Sequence, residues 1–213
     1  MKILITGSSG FIGFHLSKLL LERGYKVHGY DSMNNYYDVT LKKARLGILK
    51  KYKNFSFSKN KLEDKKNVDK IFNKFNPSIV IHLAAQAGVR YSIENPRVYL
   101  DSNITGTYNI IEASHKIKVK HLIMASSSSV YGSNKKIPFK ETDKTETQLS
   151  IYAATKKSNE SMAHAYSNIW KIPITMLRFF TVYGPWGRPD MALFKFTKGI
   201  QNNKKIDVYN KGR

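Results

Sequence analysis

Short apolar runs alternate with amphipathic stretches along almost the whole chain, and no other feature constrains the fold as strongly. Lys2–Thr6 reads as a short buried strand, followed by an apolar-periodic helix over Phe11–Arg23 that Gly24 stops. Tyr25–Tyr30 is a second strand, Asp31–Val39 a polar loop, and Leu41–Lys51 a second helix. Asn54–Ser58 reads as a strand. Glu63–Phe75 reads as a helix that ends before Asn76-Pro77, because proline disfavours helical geometry in the residue before it. Ser78–Leu83 has the apolar composition of a strand buried on both faces. A long helix is expected within Asn95–Lys118, a strand over His121–Ala125 and a helix within Leu149–Trp170. A strand over Ile174–Phe180 and a helix over Asp190–Asn202 complete the pattern. Repeated strand–helix–strand units imply right-handed crossovers, hence an α/β fold with a doubly wound parallel sheet and helices on both faces.

Ligands of such sheets sit beyond the C-terminal ends of the strands. Five polar or glycine-bearing segments fall there: Gly7–Gly13, Asp31, Ala84–Arg90, Ser126–Gly132 and Thr181–Arg188. The first, Gly7-Ser-Ser-Gly10-Phe11-Ile12-Gly13, joins the first strand to the first helix with GxxGxxG spacing. Glycines there permit a tight turn and let backbone N–H groups approach a pyrophosphate at the positive end of the helix. Asp31, at the end of the second strand, is placed to accept hydrogen bonds from ribose hydroxyls and to repel a 2′-phosphate, which favours NAD over NADP. Strand, glycines, helix, strand and acid in that order predict a Rossmann-type dinucleotide site.

The chain of 213 residues, 41% of them hydrophobic, is long enough for a sizeable core. It has no cysteine, which excludes disulfides and thiolate metal sites, and no carboxylate/histidine cluster suggests a metal. The apolar start of the chain is too short for a signal peptide, and no stretch approaches the ~18 residues of a membrane span, so a cytoplasmic protein is expected. The formal net charge of +21 raises the question of nucleic acid. The lysines are scattered over loops and helix surfaces, with no arginine-rich helix or basic–aromatic platform, so no nucleic-acid partner and no membrane partner is expected. A basic surface suits a polyanionic small molecule equally well.

Tyr152 and Lys156, in Ser150-Ile-Tyr-Ala-Ala-Thr-Lys156, stand one helical turn apart on one face. A phenol acting as a base near pH 7 needs a pKa shift of about three units, roughly 4 kcal/mol, and a nearby positive charge shifts it in that direction. The spacing alone occurs on many solvated helix faces. Its setting among the strand-end segments gives it weight.

Taken together, several segments resemble the extended branch of the short-chain dehydrogenase/reductase family. They are Gly7-x-x-Gly10-Phe11-Ile12-Gly13, His82-Leu-Ala-Ala-Gln86, Ser126-Ser-Ser-Ser-Val-Tyr-Gly132, Tyr152-x-x-x-Lys156 and Arg178-Phe-Phe-Thr-Val-Tyr-Gly-Pro185. Within that family, Ala87-Gly-Val-Arg-Tyr-Ser92, Ile151–Lys157 and Gly184-Pro-Trp-Gly-Arg-Pro-Asp-Met-Ala-Leu-Phe194 look most like UDP-glucuronate 4-epimerases. The resemblance implies that Tyr152 takes the proton of the sugar 4-hydroxyl, that Lys156 lowers its pKa and holds the nicotinamide ribose, and that Ser127 hydrogen-bonds the 4-oxygen. It implies transient oxidation at C4 by NAD and return of the hydride to the other face. It also assigns Gly7, Gly10, Phe11, Ile12, Gly13, Asp31, Leu83, Ala84, Ala85, Gln86 and Ser126 to the cofactor, with Tyr152 and Lys156. Arg90, Ser127, Ser128, Thr181, Arg188 and Met191 are assigned to a UDP-sugar substrate.

Ser128 and Ser129 narrow the chemistry. Relatives that dehydrate place Asp-Glu between the catalytic hydroxyl and Val-Tyr-Gly, and decarboxylating relatives place Glu just before Val. Neither acid stands here. A 4-keto glucuronate is a β-keto acid prone to lose CO2, so an epimerase must hold its carboxylate. Arg188 is the candidate clamp and Thr181 a second contact. Arg188 capping a loop or binding a phosphate is the competing expectation. Asn103, unfavourable in mid-helix, is expected in a backbone or water bridge, His82 as a satisfied core residue, and Phe179 and Phe180 as core. Met191–Phe194 and Val208 are expected near the uridine.

Lys61 stands where the family has an adenine-contacting Asp, with Asn60 a possible substitute. Residues 1–180 are expected to form the NAD-binding domain, and 181–213 the start of a substrate-binding region whose small C-terminal lobe is largely absent. An epimerase for neutral UDP-hexoses and a non-catalytic NAD-binding protein are the alternatives. A homodimer through Asn95–Lys118 and Leu149–Trp170 is also expected from the resemblance.

Overall fold

Residues 1–206 are described by the computed structural model of the chain. Its strands are β1 (Lys2–Thr6), β2 (Lys26–Asp31), β3 (Phe55–Lys59), β4 (Ile79–His82), β5 (His121–Ser127) and β6 (Ile174–Phe179). All pair in parallel, in the order β3-β2-β1-β4-β5-β6. The order reverses between β1 and β4, which opens a crevice at the strand ends of a doubly wound sheet. The main helices are α1 (Phe11–Glu22), α2 (Val39–Leu49), α3 (Lys65–Phe75), α6 (Gly106–Lys116), α7 (Ile151–Trp170) and α8 (Ala192–Gln201). Short turns α4 (Tyr91–Glu94) and α5 (Arg97–Tyr99) precede α6. No helix among the described residues is long and apolar enough to cross a membrane.

Alternation along β1 divides the core into two layers. Leu4 joins Val80 and Leu122 against Val68 and Phe72 of α3, Ile110 and Ile111 of α6 and Ala163 of α7. Ile3 and Ile5 join Val27 and Ile81 on the opposite face, against Phe14 and Leu21 of α1 and Leu49 of α2. Each fully buried Leu, Ile, Val or Phe stabilises the fold by about 1.5–3 kcal/mol, which is why the central strands carry almost nothing else. Helix ends follow local chemistry. Asp38, Asp64 and Ser150 cap α2, α3 and α7 by accepting backbone N–H bonds, and Asn76 ends α3 in the left-handed region just before Pro77.

Two expectations need correction. The helix expected within Asn95–Lys118 is interrupted. Leu100–Thr105 is a π-helical stretch between α5 and α6, and the Gly106 N–H reaches back five residues to the Asp101 carbonyl. The wider turn lets Asn103 face inward, wholly buried. Its Oδ1 accepts from the Gln86 N–H at 2.8 Å, and its Nδ2 donates to the Gln86 carbonyl at 3.1 Å and to Thr155 Oγ1 at 3.1 Å. Thr155 in turn donates to the Tyr152 carbonyl. Asn103 therefore clamps the loop after β4 to the helix carrying Tyr152. Phe179 and Phe180, expected in the core, instead line the open end of the sheet, and Phe180 is exposed. They lie at the C-terminal edge of β6, beyond the helices that cover its middle.

His82 meets its expectation. Its ring bonds Thr6 Oγ1 at 2.7 Å and Thr107 Oγ1 at 3.0 Å, and burial pushes its pKa down to about 3. Truncating Asn103 would leave the Gln86 N–H and C=O buried without partners. Asn103→Ala is expected to cost roughly 2–4 kcal/mol and to lower the melting temperature by on the order of 10 °C. A thermal melt followed by circular dichroism checks this, and a change of only a degree or two would refute the clamp.

Candidate active site

A cleft of about 980 Å3 lies beyond the C-terminal ends of the strands. All thirteen residues expected to hold the cofactor and all six expected at the substrate line it, from Gly7 and Asp31 at one end to Thr181, Arg188 and Met191 at the other. Val208 lies outside the described residues. Met191 lines the cleft with Lys195, whereas Leu193 and Phe194 are exposed.

At the glycine loop, the first turn of α1 presses on the end of β1. A Cβ on Gly13 would sit 2.1 Å from the Gly7 carbonyl oxygen. Gly7 has φ +74°, and a Cβ there would meet the Ala84 backbone nitrogen at 2.8 Å. The loop is thus a cradle that side chains would fill, opening on a helix N-terminus, and it fits a dinucleotide pyrophosphate. Asp31 is buried. Its Oδ2 accepts from the Ser9 N–H at 3.0 Å and its Oδ1 from the Met33 N–H at 2.8 Å. Burial raises its pKa, and those two N–H groups oppose the rise. Each oxygen keeps a second lone pair for a ribose hydroxyl. At the adenine end, the Lys61 side chain is exposed and pairs loosely with Glu63, while its carbonyl accepts from Tyr30 Oη at 2.8 Å. Asn60 and Glu63 also line the cleft, so polar groups for the base are at hand without an Asp at position 61.

Ser127 ends β5 and caps the 3-10 turn Ser128–Tyr131. Its Oγ accepts from the Ser129 N–H at 3.1 Å, which leaves the hydroxyl proton to donate into the cleft. Neighbouring Ser126 points back, its hydroxyl 2.6 Å from Glu160 Oε1. Glu160 is forked by Arg178 through Nε at 2.9 Å and Nη2 at 3.0 Å. This network ties α7 to the ends of β5 and β6, beneath Tyr152 and Lys156.

Lys156 is buried and donates from Nζ to the Ala125 carbonyl at 2.8 Å. Burial pulls its pKa down to about 8. Tyr152 behaves differently from the simple expectation. Burial raises its pKa, and the groups that oppose the rise are the Ser127 hydroxyl and the Arg188 guanidinium rather than Lys156. The ammonium is drawn to the strand carbonyl, so the charge acting on the phenol comes from across the cleft.

Arg188 itself is braced. Its Nε and Nη2 grip Asp190, with Nε 3.0 Å from Oδ1, and Tyr36 Oη donates to Asp190 Oδ2 at 3.3 Å. Asp190 uses one edge of the guanidinium and leaves the Nη1 edge outside that pair. Asp190 and Tyr36 were not singled out from the sequence, although Asp190 lies inside the Gly184–Phe194 motif and Tyr36-Tyr37 stand out in an otherwise polar loop. Lys42 was also missed. It is buried on α2, with Nζ 2.7 Å from the Asn34 carbonyl, and lines the cleft near Asp31.

A six-stranded, doubly wound sheet with a glycine cradle, a buried acid at the end of β2 and a Ser/Tyr/Lys set in one cleft is the arrangement of the extended short-chain dehydrogenase/reductase class. Residues 3–213 match the NAD dependent epimerase/dehydratase family, and the chain belongs to it. It is 60% identical over 212 residues to Protein CapI of Staphylococcus aureus, covering 100% of this chain and 63% of that protein. It is 53% identical to a probable UDP-glucuronate 4-epimerase of Rhizobium meliloti, covering 100% of this chain and 62% of that protein. The chain thus spans less than two thirds of these curated relatives. Among solved structures, it superposes with a TM-score of 0.93 and 37% identity on UDP-glucuronic acid 4-epimerase from Bacillus cereus in complex with UDP-glucuronic acid and NAD. That match covers 100% of this chain and 67% of that one.

The buried Lys156 has a consequence for stability. Its folded pKa of about 8 lies below the unfolded value of 10.5, so the unfolded chain binds the proton more tightly. The associated stability is fully present above pH ~10.5 and is lost as pH falls through ~8, a penalty of about 3 kcal/mol at neutral pH. Lys156→Met is therefore expected to unfold at higher denaturant than the parent at pH 7, with the difference shrinking as pH rises toward 10.5. Equal stability of the two at pH 7 would contradict the assignment.

Proposed function

We propose that the protein is an NAD-dependent epimerase that inverts C4 of a UDP-sugar, interconverting UDP-glucuronate and UDP-galacturonate. The observation that carries this reading is the convergence of Ser127, Tyr152 and Lys156 on one cleft, with Ser128 and Ser129 where an acid would divert the reaction. Likeness to a UDP-glucuronic acid 4-epimerase solved with both ligands supports the substrate and the cofactor.

NAD+, held by the glycine loop and Asp31, would supply hydride acceptance and return. Tyr152 takes the proton from the sugar 4-hydroxyl and gives it back after the flat 4-keto sugar has turned. Ser127 donates its hydroxyl proton to the 4-oxygen, holding it against Tyr152. Lys156, fixed by Ala125, presents its remaining N–H donors to the cleft and adds positive charge to it. Asp31 takes the adenosine ribose, and the backbone of the glycine loop takes the pyrophosphate. Arg188, oriented by Asp190, offers its Nη1 edge to the sugar carboxylate, with Thr181 as a second donor. This keeps the C5 carboxylate from the geometry in which the β-keto acid loses CO2.

Incubation with UDP-glucuronate and NAD+ should yield UDP-galacturonate, and a UDP-pentose as the main product would overturn the reading. Tyr152→Phe should lower turnover by roughly 10²–10⁴-fold while NAD+ binding persists. Arg188→Ala should lose about 10–100-fold more in kcat/KM on UDP-glucuronate than on UDP-glucose, the worth of one charged hydrogen-bonded contact, because the loss of its charge near Tyr152 is common to both substrates. Unchanged kinetics on UDP-glucuronate would remove Arg188 from the carboxylate site.

A further inference from the structure

Arg45 of α2 is wholly buried, yet among the described residues no carboxylate hydrogen-bonds it. Its Nη1 donates to the Ser9 carbonyl at 3.1 Å and to Tyr37 Oη at 2.9 Å. Its Nη2 donates to the carbonyls of Trp186 at 2.5 Å and Gly187 at 3.1 Å. Removing a guanidinium from water is costly, and backbone carbonyls are weak compensation compared with a carboxylate. A side chain kept under those terms joins things that must stay together. Here it joins two loops: the glycine loop after β1, and the loop after β6 that carries Arg188.

Both loops need holding. The Ser9 N–H donates to Asp31, so Arg45 grips the carbonyl of the residue whose amide meets the ribose-facing acid. Trp186 has φ +60°, a conformation disfavoured for a bulky side chain, and Arg45 holds its carbonyl. The Trp186 ring packs on Phe14 of α1, and His15 Nε2 lies 2.9 Å from the Pro185 carbonyl, so α1 backs the same loop. Arg188 follows two residues later. Neither Arg45 nor Ser9 is among the residues lining the cleft, so Arg45 acts from behind the site.

We propose that Arg45 is a positioning residue that couples the dinucleotide loop to the loop of Arg188, so that filling the first sets the second. Occupancy by NAD+ would order Ser9 and, through the guanidinium, Trp186 and Gly187. The arginine that faces the substrate is then aligned once the cofactor is in place. This rests on the reading that the glycine loop holds NAD+ and that Arg188 contacts the sugar.

The chain has two tryptophans, so Trp170→Phe leaves Trp186 as the sole indole reporter. In that background, NAD+ is titrated by calorimetry and by Trp186 emission, with and without Arg45→Met. The parent should show heat and a Trp186 change that saturate together. The Arg45→Met protein should retain the heat, with affinity within about tenfold, and lose the emission change. If the methionine variant fails to fold, Arg45→Lys, which keeps the charge but not the two-loop fork, carries the same comparison. An emission change of parental size in the variant overturns the coupling alone, as does a parent whose Trp186 ignores saturating NAD+. No heat in the parent overturns the NAD+ reading and this proposal with it.

Discussion

One close backbone approach underlies the whole site. The first turn of α1 lies so near the Gly7 carbonyl that position 13 admits no side chain, and Gly7 in turn abuts the backbone of Ala84. That contact aims the N-terminus of α1 into the crevice between β1 and β4, where the strand order reverses. Asp31, the loop after β4 and the ends of β5 and β6 then fall around a single opening. A methyl group at position 13 would push the helix away and widen the spacing that every other group in the cleft is built to.

A second theme is buried positive charge that, among the described residues, makes no hydrogen bond to a carboxylate, although Asp31 lies near enough to Lys42 and Arg45 to act on them. Lys42, Arg45 and Lys156 are all buried and hydrogen-bond to carbonyls, a hydroxyl or an amide oxygen rather than to carboxylates. Arg188 is paired, but its partner Asp190 occupies one edge only. Buried cations with neutral partners are a poor arrangement for stability and a good one for receiving a ligand that carries several negative charges. The formal +21 of the chain comes mainly from solvated lysines, but these few interior cations are the ones placed to act on a ligand in the cleft.

Much of the fold was legible because its signals are local. Alternating apolar runs gave six strands within a residue or two, and glycine or Asn-Pro stops gave the helix ends. The site was legible because its residues cluster just past predicted strands. What escaped depends on contacts between distant segments. The π turn at Leu100–Thr105 has no local composition cue beyond an ill-suited Asn103. Phe179 and Phe180 look like core until the sheet edge is seen to open beside them. Arg45 reads as one more basic residue on an amphipathic helix, since the two loops it joins begin at partners 36 and 141 residues away. The family resemblance implies that Lys156 acts on Tyr152, while the strand carbonyl to which its ammonium donates is something no periodicity reveals.

The π turn also sets a rule for how this segment tolerates change in length. A turn of that kind holds one residue more than an α-helical turn. Loss of one residue between Leu100 and Thr105 would let the stretch close into regular α-helix with the segments on either side still in phase, but without the wide turn that faces Asn103 inward. The contacts of Asn103 to Gln86 and Thr155 would go with it, while the apolar face of α6 kept its direction. Homologous chains that keep the Gln86 and Thr155 contacts should therefore tolerate substitutions here more readily than deletions, even though regular helix is the more favourable local geometry.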